Sequence, residues 1–214
     1  MKTLAVIPAR YSSTRLPGKP MIEIAGVPLV IRVLDNVSAC ASVDRVIVAT
    51  DDERIAELVS RHGGEAVMTP PELPSGGDRV AYVSRIVPSD YVLNVQVDDP
   101  LVGADMIDPL VAALDGDSSV MLALLTKRID DMDEVRANNI VKAVFDGDGR
   151  ALYFSRSPIP YPRSEGGVWY KHIGPYGWRR DFLLEFAASE QTPLEKTESL
   201  EMLRVIELGH TIKC

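Results

Sequence analysis

The first hundred residues alternate short apolar runs with segments whose apolar residues recur at helical spacing, and this alternation restricts the possible folds more than any other feature. Four runs are predicted to be buried strands: 4–7, 45–49, 66–68 and 91–97. Helices are predicted after the first three of them, with Pro28 in the first turn of one helix and Asp51 and Asp52 capping the next. Strand followed by helix, repeated, predicts a parallel sheet covered on both faces.

The pattern changes after residue 118. Residues 120–125 predict another strand, and residues 140–145 and 151–155 flank an Asp-Gly-Asp-Gly hairpin turn at 146–149. Helices are predicted near 181–188 and 197–208. We therefore predict one α/β domain over 1–214, a Rossmann-like, mostly parallel sheet with an antiparallel hairpin extension at about 138–175.

Charge and composition exclude several classes of protein. The formal net charge of −8 is unfavourable for sequence-independent nucleic-acid binding, which needs basic surface. The two cysteines, Cys40 and Cys214, are far apart and not in a C-x-x-C motif, so neither a disulfide framework nor a structural zinc site is expected. The sequence has no apolar run long enough for a membrane span and no signal-peptide pattern, which predicts a cytoplasmic protein without a membrane partner.

The N-terminal segment is cationic although the protein is acidic. No acidic residue precedes Glu23, whereas Lys2, Arg10, Arg15 and Lys19 do. Most of these cations lie in a loop rich in Pro, Gly and Ser after the first predicted strand, where small residues allow backbone N–H groups to approach phosphate. This arrangement favours a small polyanionic ligand, and charge alone leaves open the alternative of a solvated basic loop.

Three loops are expected to meet at the carboxyl edge of the sheet, where ligands bind in open α/β folds. Residues 8–20 supply cations, residues 75–79 supply the N-terminus of a helix, and residues 98–100 supply two carboxylates that suit Mg²⁺. Pro20 after Lys19 argues against a P-loop, and no G-x-G-x-x-G follows the first strand. Together the loops favour Mg²⁺–nucleotide chemistry, although the acidic pair alone is also consistent with a plain turn.

One run in this sequence is highly specific: Ile7-Pro8-Ala9-Arg10-Tyr11-Ser12-Ser13-Thr14-Arg15-Leu16-Pro17-Gly18-Lys19-Pro20. It resembles the signature loop of the 3-deoxy-manno-octulosonate (Kdo) cytidylyltransferases. The likeness continues in order through VATDD at 48–52, SGGDR at 75–79, NVQVDDP at 94–100, ALYFSR at 151–156, HIGPYG at 172–177, PLE at 193–195 and LRV at 203–205. The resemblance covers essentially the whole chain and implies a fold of the nucleotide-diphospho-sugar transferase type.

The resemblance also implies a reaction, in which the CMP part of CTP is joined to an acidic sugar for lipopolysaccharide biosynthesis. The implied nucleotide-binding residues are Ala9, Arg10, Arg15, Lys19, Ser75, Gly76, Arg79 and Gln96. The implied sugar-binding residues are Gln96, Arg156, His172, Tyr176 and Glu201. Asp98 is the implied Mg²⁺ ligand and, with Arg10 and Lys19, one of the implied catalytic residues. A homodimer formed through the hairpin region is the implied assembly.

The sequence departs from the family pattern at several positions. Val97, Gly77, Asp99 and Met202 stand where Gly, Thr, Glu and Gln are usual, and family members continue past the position of Cys214 with an aspartate that completes the metal site. These departures leave two alternatives open. One is a cytidylyltransferase for a related sugar, such as 8-amino-Kdo or a sialic-acid-like sugar, and the other is a weakly active nucleotide-binding relative.

Overall fold

The computed structural model describes residues 1–12 and 16–214, which form a mixed sheet flanked by helices. The strands are β1 (Thr3–Ala9), β2 (Glu23–Ile24), β3 (Val27–Pro28), β4 (Arg45–Thr50), β5 (Glu65–Met68), β6 (Tyr91–Asn94), β7 (Val120–Ile129), β8 (Lys142–Phe145), β9 (Ala151–Ser155), β10 (Trp169–Arg179) and β11 (Thr211–Lys213). The helices are α1 (Leu29–Ser38), α2 (Glu53–Arg61), α3 (Gly76–Ile86), α4 (Ala104–Gly116), α5 (Met132–Arg136), α6 (Arg180–Ala188), α7 (Pro193–Glu198) and α8 (Glu201–Glu207).

The main sheet has nine strands, with the order β11-β7-β10-β6-β1-β4-β5 and with β8 and β9 attached through β10. Strand β1 is central and pairs in parallel with β4 and β6, as the strand–helix alternation predicted. Strand β10 runs antiparallel to both β6 and β7 and joins this parallel part to the second half of the chain. The predicted α/β class, mostly parallel with an antiparallel hairpin, is confirmed.

Alternation along the central strands builds a core on each face of the sheet. In β1, Ala5 and Ile7 pack into one core with α1, α2 and α4, whereas Leu4 and Val6 pack into the other with α3, α6 and α8. This follows from the period of two in a strand, which sends successive side chains to opposite faces. Because both faces are covered, the carboxyl edge is where the central strands can present polar groups.

Two predicted elements differ from those observed. The strand predicted over 91–97 ends at Asn94, and the following residues form the loop that carries Gln96 and Asp98. The single helix predicted near 197–208 is two helices, because Ser199 adopts the left-handed conformation (φ 54°) and ends α7. Strand β10 was not predicted from the sequence.

Helix caps and the hairpin turn agree with their sequence signals. Asp52 caps α2 by accepting the Arg54 N–H at 3.0 Å, whereas Asp51 pairs with Arg79 instead. In the predicted turn at 146–149, the Asp146 N–H donates to the Arg150 carbonyl at 2.9 Å. Within the described ranges 1–12 and 16–214, no helix has both the length and the apolar character needed to cross a membrane.

Candidate active site

The loop after β1 is closed on itself. The Gly18 N–H donates to the Tyr11 carbonyl at 2.8 Å, and Gly18 has a φ of 72°, which is the left-handed region that favours glycine. A Cβ at Gly18 would lie 3.2 Å from the Tyr11 ring, whose face is in turn covered by the Arg54 guanidinium at 3.5 Å. This closure turns Lys19 back towards the sheet edge. Arg15 lies outside the described residues.

Lys19 and Asp98 meet at the carboxyl edge. The Lys19 Nζ lies 2.6 Å from the Asp98 Oδ2, and the two side chains are 33% and 51% exposed. Asp98 follows β6 and Lys19 follows β1, so adjacent strands bring these residues together although 79 positions separate them. The neighbouring Asp99 is more buried than Asp98. Burial raises the pKa of its carboxyl group, and the charge of Asp98 raises that pKa further. Asp98 is therefore the more accessible carboxylate of the two.

Asp98 fits the Mg²⁺ site that the resemblance implies only if a substrate supplies further ligands to the metal. Among the residues that the structure describes, no cluster of three or more His, Cys, Asp or Glu side chains is placed to hold a metal. Protein-bound Mg²⁺ is commonly held by one or two carboxylates and completed by substrate phosphates and water. One exposed carboxylate beside a lysine that is predicted to bind phosphate is consistent with that donor set.

The start of α3 supplies the second predicted loop. Ser75 and Asp78 form a capping box, in which the Asp78 N–H donates to the Ser75 Oγ at 3.1 Å and the Ser75 N–H donates to the Asp78 Oδ2 at 3.1 Å. Gly76 approaches Pro8 so closely that a Cβ there would lie 3.3 Å from the proline ring. The N-terminus of α3 is thereby held against the end of β1, where Ala9 is fully buried. Arg10 reaches this loop with its Nη1 3.5 Å from the Pro74 carbonyl oxygen.

The buried side chain of Arg79 holds the segment that precedes this loop in place. Its side chain is completely buried, and burial lowers the pKa of the guanidinium while the charge of Asp51 opposes that shift. The guanidinium donates to the Asp51 Oδ2 at 2.8 Å, to the Thr69 Oγ1 at 2.5 Å and to the Pro70 carbonyl at 3.2 Å. These bonds hold the chain that leads to Ser75. The assignment of Arg79 to the nucleotide base stays a prediction.

A cavity of about 390 Å³ lies beside the start of α3 and contains part of the predicted sugar site. Ser75, Tyr176 and Glu201 line it, whereas Arg10, Lys19, Asp98, Arg156 and His172 are not among its lining residues. Burial raises the pKa of Glu201, with Arg204 opposing and Asp78 and Glu195 adding to the shift. Burial also raises the pKa of Tyr176, and the charge of Glu201 adds to it.

An irregularity in β10 places two further predicted residues. The register of β10 against β7 shifts between Ile173 and Tyr176, and such bulges re-aim side chains beside functional sites. The His172 and Tyr176 rings lie with centroids 5.9 Å apart. The His172 Nε2 is buried and has no hydrogen-bond partner among the described residues, and burial lowers the pKa of the ring to about 4. An unpartnered ring nitrogen at this place is suited to a ligand hydroxyl.

The two remaining predicted sugar-binding residues, Gln96 and Arg156, follow strands β6 and β9. The Gln96 Nε2 donates to the Asn94 Oδ1 at 2.9 Å, and Asn94 itself lines the cavity. Arg156 directly follows β9, and its guanidinium is held by main-chain carbonyls. Asn94 was not singled out from the sequence, although it lies in a quoted motif at the end of a predicted strand. No sequence signal distinguished it from a plain strand residue.

The departures from the family pattern have different structural consequences. Val97 and Met202 both pack against the apolar cores, so their side chains are partly buried. Gly77 lies in front of the Glu201 carboxyl group, where a Cβ would be 3.4 and 3.6 Å from its two oxygens. Of these positions, Gly77 is the one that lies against a predicted sugar-binding group.

Comparison with known proteins finds a matching family model, similar sequences and a similar solved structure. The family model described as "Cytidylyltransferase" matches residues 4–212. The chain is 45% identical to the 3-deoxy-manno-octulosonate cytidylyltransferase of Geobacter metallireducens and 46% identical to that of Geotalea uraniireducens, covering all of this chain and 89% and 90% of those proteins. It also resembles the solved structure of CMP:2-keto-3-deoxy-manno-octonic acid synthetase complexed with CTP, with a TM-score of 0.96 and 39% identity over all of this chain and 88% of that one.

Proposed function

Because this chain belongs to the cytidylyltransferase family, and within it to the 3-deoxy-manno-octulosonate cytidylyltransferases, we propose that it makes CMP-Kdo and pyrophosphate from CTP and Kdo. The chain is a nucleotidyltransferase. The observation that carries the proposal is the 2.6 Å contact of Lys19 with Asp98 at the carboxyl edge of the sheet. It supports the proposal because a lysine can bind phosphate and the adjacent carboxylate is suited to a hard metal.

The chemistry follows from positioning and electrostatics. The anomeric oxygen of the sugar bonds to the α-phosphorus of CTP, and the bond from that phosphorus to the bridging oxygen of pyrophosphate breaks. Arg10 and Lys19 lie at the loop that would hold the phosphates and stabilise the charge of the leaving pyrophosphate. Asp98 would hold Mg²⁺, which when bound supplies charge neutralisation at the phosphates and polarises oxygen.

The sugar end of the proposal is supported by two residues that line the cavity and by two that do not. Tyr176 and Glu201 supply a hydroxyl and a carboxyl group that can bond to sugar hydroxyls, and His172 supplies an unpartnered ring nitrogen. Arg156 supplies the positive charge that an acidic sugar needs. The enzyme therefore needs no protein nucleophile, since it holds both substrates for direct transfer.

The test is pyrophosphate release by the purified protein with Mg²⁺ and CTP, supplied with Kdo, 8-amino-Kdo or a sialic acid. Fast release with Kdo and CTP, and little with ATP or GTP, is the expected result. Faster release with 8-amino-Kdo would favour the related-sugar alternative, which is motivated by the departure from the family pattern at Gly77, against Glu201. Nucleotide binding without turnover on any sugar would favour the weakly active relative.

Assembly and location belong to the same proposal. We propose a homodimer formed through the hairpin region at about 138–175, because Leu152 and Tyr161 in that region are 56% and 85% exposed. Light scattering of the wild-type protein and of a Leu152→Lys, Tyr161→Lys variant tests it, and a wild-type monomer would contradict it. A cytoplasmic location and a role in lipopolysaccharide biosynthesis follow from the use of CTP and Kdo.

A further inference from the structure

Lys142, in β8, is a completely buried lysine with no carboxylate bonded to it. Its Nζ donates to three main-chain carbonyls, those of Ala137 at 2.9 Å, Ile140 at 2.6 Å and Arg156 at 2.5 Å. Burial lowers the pKa of its ammonium group. Desolvating an ammonium group is unfavourable unless all its donors are satisfied, and here each of the three donors has one acceptor.

The Arg156 guanidinium is also held by main-chain carbonyls. Its Nε donates to Glu198 at 2.8 Å, its Nη1 to Asn138 at 3.1 Å and its Nη2 to Ser199 at 3.3 Å. A guanidinium has five N–H groups, so two remain, one on each terminal nitrogen. These two donors leave the guanidinium able to hydrogen-bond a carboxylate. The three carbonyls fix the orientation of the guanidinium, and among the described residues no carboxylate pairs with its charge.

The main chain of Arg156 is held from both sides. Its N–H donates to the Glu198 Oε2 at 2.9 Å, while the other oxygen of that carboxylate accepts the Ser155 Oγ at 2.5 Å. Its carbonyl accepts the Lys142 Nζ. Glu198 thus fixes both the backbone of Arg156, by its side chain, and the guanidinium, by its own carbonyl.

We propose that Lys142 and Glu198 are positioning residues that hold the Arg156 guanidinium in place for the carboxylate of the acidic sugar. The inference rests on the proposed function only for the identity of that sugar. Lys142 ties the segment 137–140 to Arg156, and Glu198 ties the end of α7 to it, so the guanidinium is fixed between two separate parts of the chain. Fixing it before binding avoids ordering a long side chain at the moment of binding.

The kinetic test compares Lys142→Met and Glu198→Gln with Lys127→Met, a control that removes an exposed lysine from β7. Loss of a charge-assisted contact to the substrate predicts that KM for Kdo rises roughly tenfold or more in the two test variants. The KM for CTP and the control's constants should change less than about twofold. In an Arg156→Lys background, the substitution at 142 should add almost nothing to KM, because the two residues act as one unit.

A spectroscopic test separates this inference from the proposed function. The Arg156 Nε–H signal in a ¹⁵N–¹H spectrum is identified by its loss in Arg156→Lys, and its bond to the Glu198 carbonyl should protect it from solvent exchange in the wild type. Faster exchange in Lys142→Met and unchanged exchange in Lys127→Met are expected. Wild-type inactivity on every acidic sugar would refute the proposed function and leave this signal informative.

The inference is overturned if folded Lys142→Met keeps both the protected Arg156 signal and the wild-type KM for Kdo. If Lys142→Met does not fold, Glu198→Gln decides by the same two measurements, since it keeps the size of the side chain. An equal rise in KM for Kdo and CTP would also overturn it, because general loosening of the site would affect both substrates.

Discussion

Asp98→Asn is the substitution that most directly tests the candidate active site. It keeps the size and shape of the side chain but removes the charge that a hard cation needs. It also removes the partner of Lys19, whose Nζ lies 2.6 Å from the Asp98 carboxylate. The substitution should therefore have opposite effects on turnover and on the binding of free nucleotide.

The magnitudes follow from the exposure of the pair. Losing a group that stabilises charge in the transition state should cost on the order of 3–4 kcal/mol, which is a hundredfold or more in rate. The ion pair itself is half-exposed, at 33% and 51%, so screening leaves it roughly 0.2–1 kcal/mol of stability. For a chain of this size, that corresponds to a change in Tm of at most about 4 °C. The loss is partly offset, because the charge of Asp98 raises the pKa of Asp99.

The assay measures pyrophosphate release with CTP, Kdo and Mg²⁺, and calorimetry measures CTP binding without Mg²⁺. We expect turnover to fall a hundredfold or more, while metal-free CTP binds the variant at least as tightly, because Lys19 no longer has to leave a carboxylate. Asp99→Asn is the matched control, since Asp99 Oδ1 accepts the Leu101 N–H and the carboxyl group is less accessible. Turnover within a few-fold of wild type for Asp98→Asn would refute the metal assignment and make Asp99 the next candidate.

Three further substitutions probe the loop, the cavity wall and the sugar end. Gly18→Ala should lower stability by roughly 1 kcal/mol and weaken the CTP binding that calorimetry measures, because φ at Gly18 is 72° and the Tyr11 ring would lie 3.2 Å from the new Cβ. Unchanged CTP binding would show that the loop tolerates another shape. Arg204→Met should lower the free energy of unfolding in urea by roughly 3–5 kcal/mol, because it removes the ion-pair partner of Glu195, whose side chain is only 2% exposed. Adding Glu195→Gln should restore most of that loss. The pKa of His172 is lowered from 6.5 to about 4, so the apo protein should lose stability as the pH falls from about 6.5 towards about 4. His172→Gln should flatten this dependence of stability on pH, and an identical dependence in the variant would contradict the prediction.

The parts of the fold that the sequence predicts well are those with local signals. Apolar runs and helical spacing located the parallel strands except β11, and most helices, and the Asp-Gly turn located the hairpin. Strand β10 escaped because glycine and proline interrupt it at Gly174 and Pro175, and because its partners lie far away in sequence. Pairing with distant strands, rather than local preference, makes this segment extended.

The candidate site likewise has features that the sequence predicts and features that depend on the three-dimensional structure. The cationic loop and Asp98 were located by their positions at strand ends, but their contact depends on the adjacency of β1 and β6. Burial could not be predicted for Arg79 or Lys142, because a single cation in a short motif does not show which way it points. The pattern around Lys142 is an ordinary apolar strand with one charged residue, and only the three carbonyls around its Nζ give that residue a role.

The contact between Lys19 and Asp98 also bears on how an acidic protein can bind a polyanion. The chain carries a net charge of −8, so long-range attraction does not draw CTP to it, and the local charges of the loop must act at short range. Without a ligand, Lys19 and Asp98 neutralise each other and neither charge is left unpaired at the sheet edge. We propose that Lys19 changes partner when phosphate binds, and that the carboxylate it leaves is then available to a divalent cation. Such an exchange would couple nucleotide and metal binding, because each ligand would release the group that the other needs.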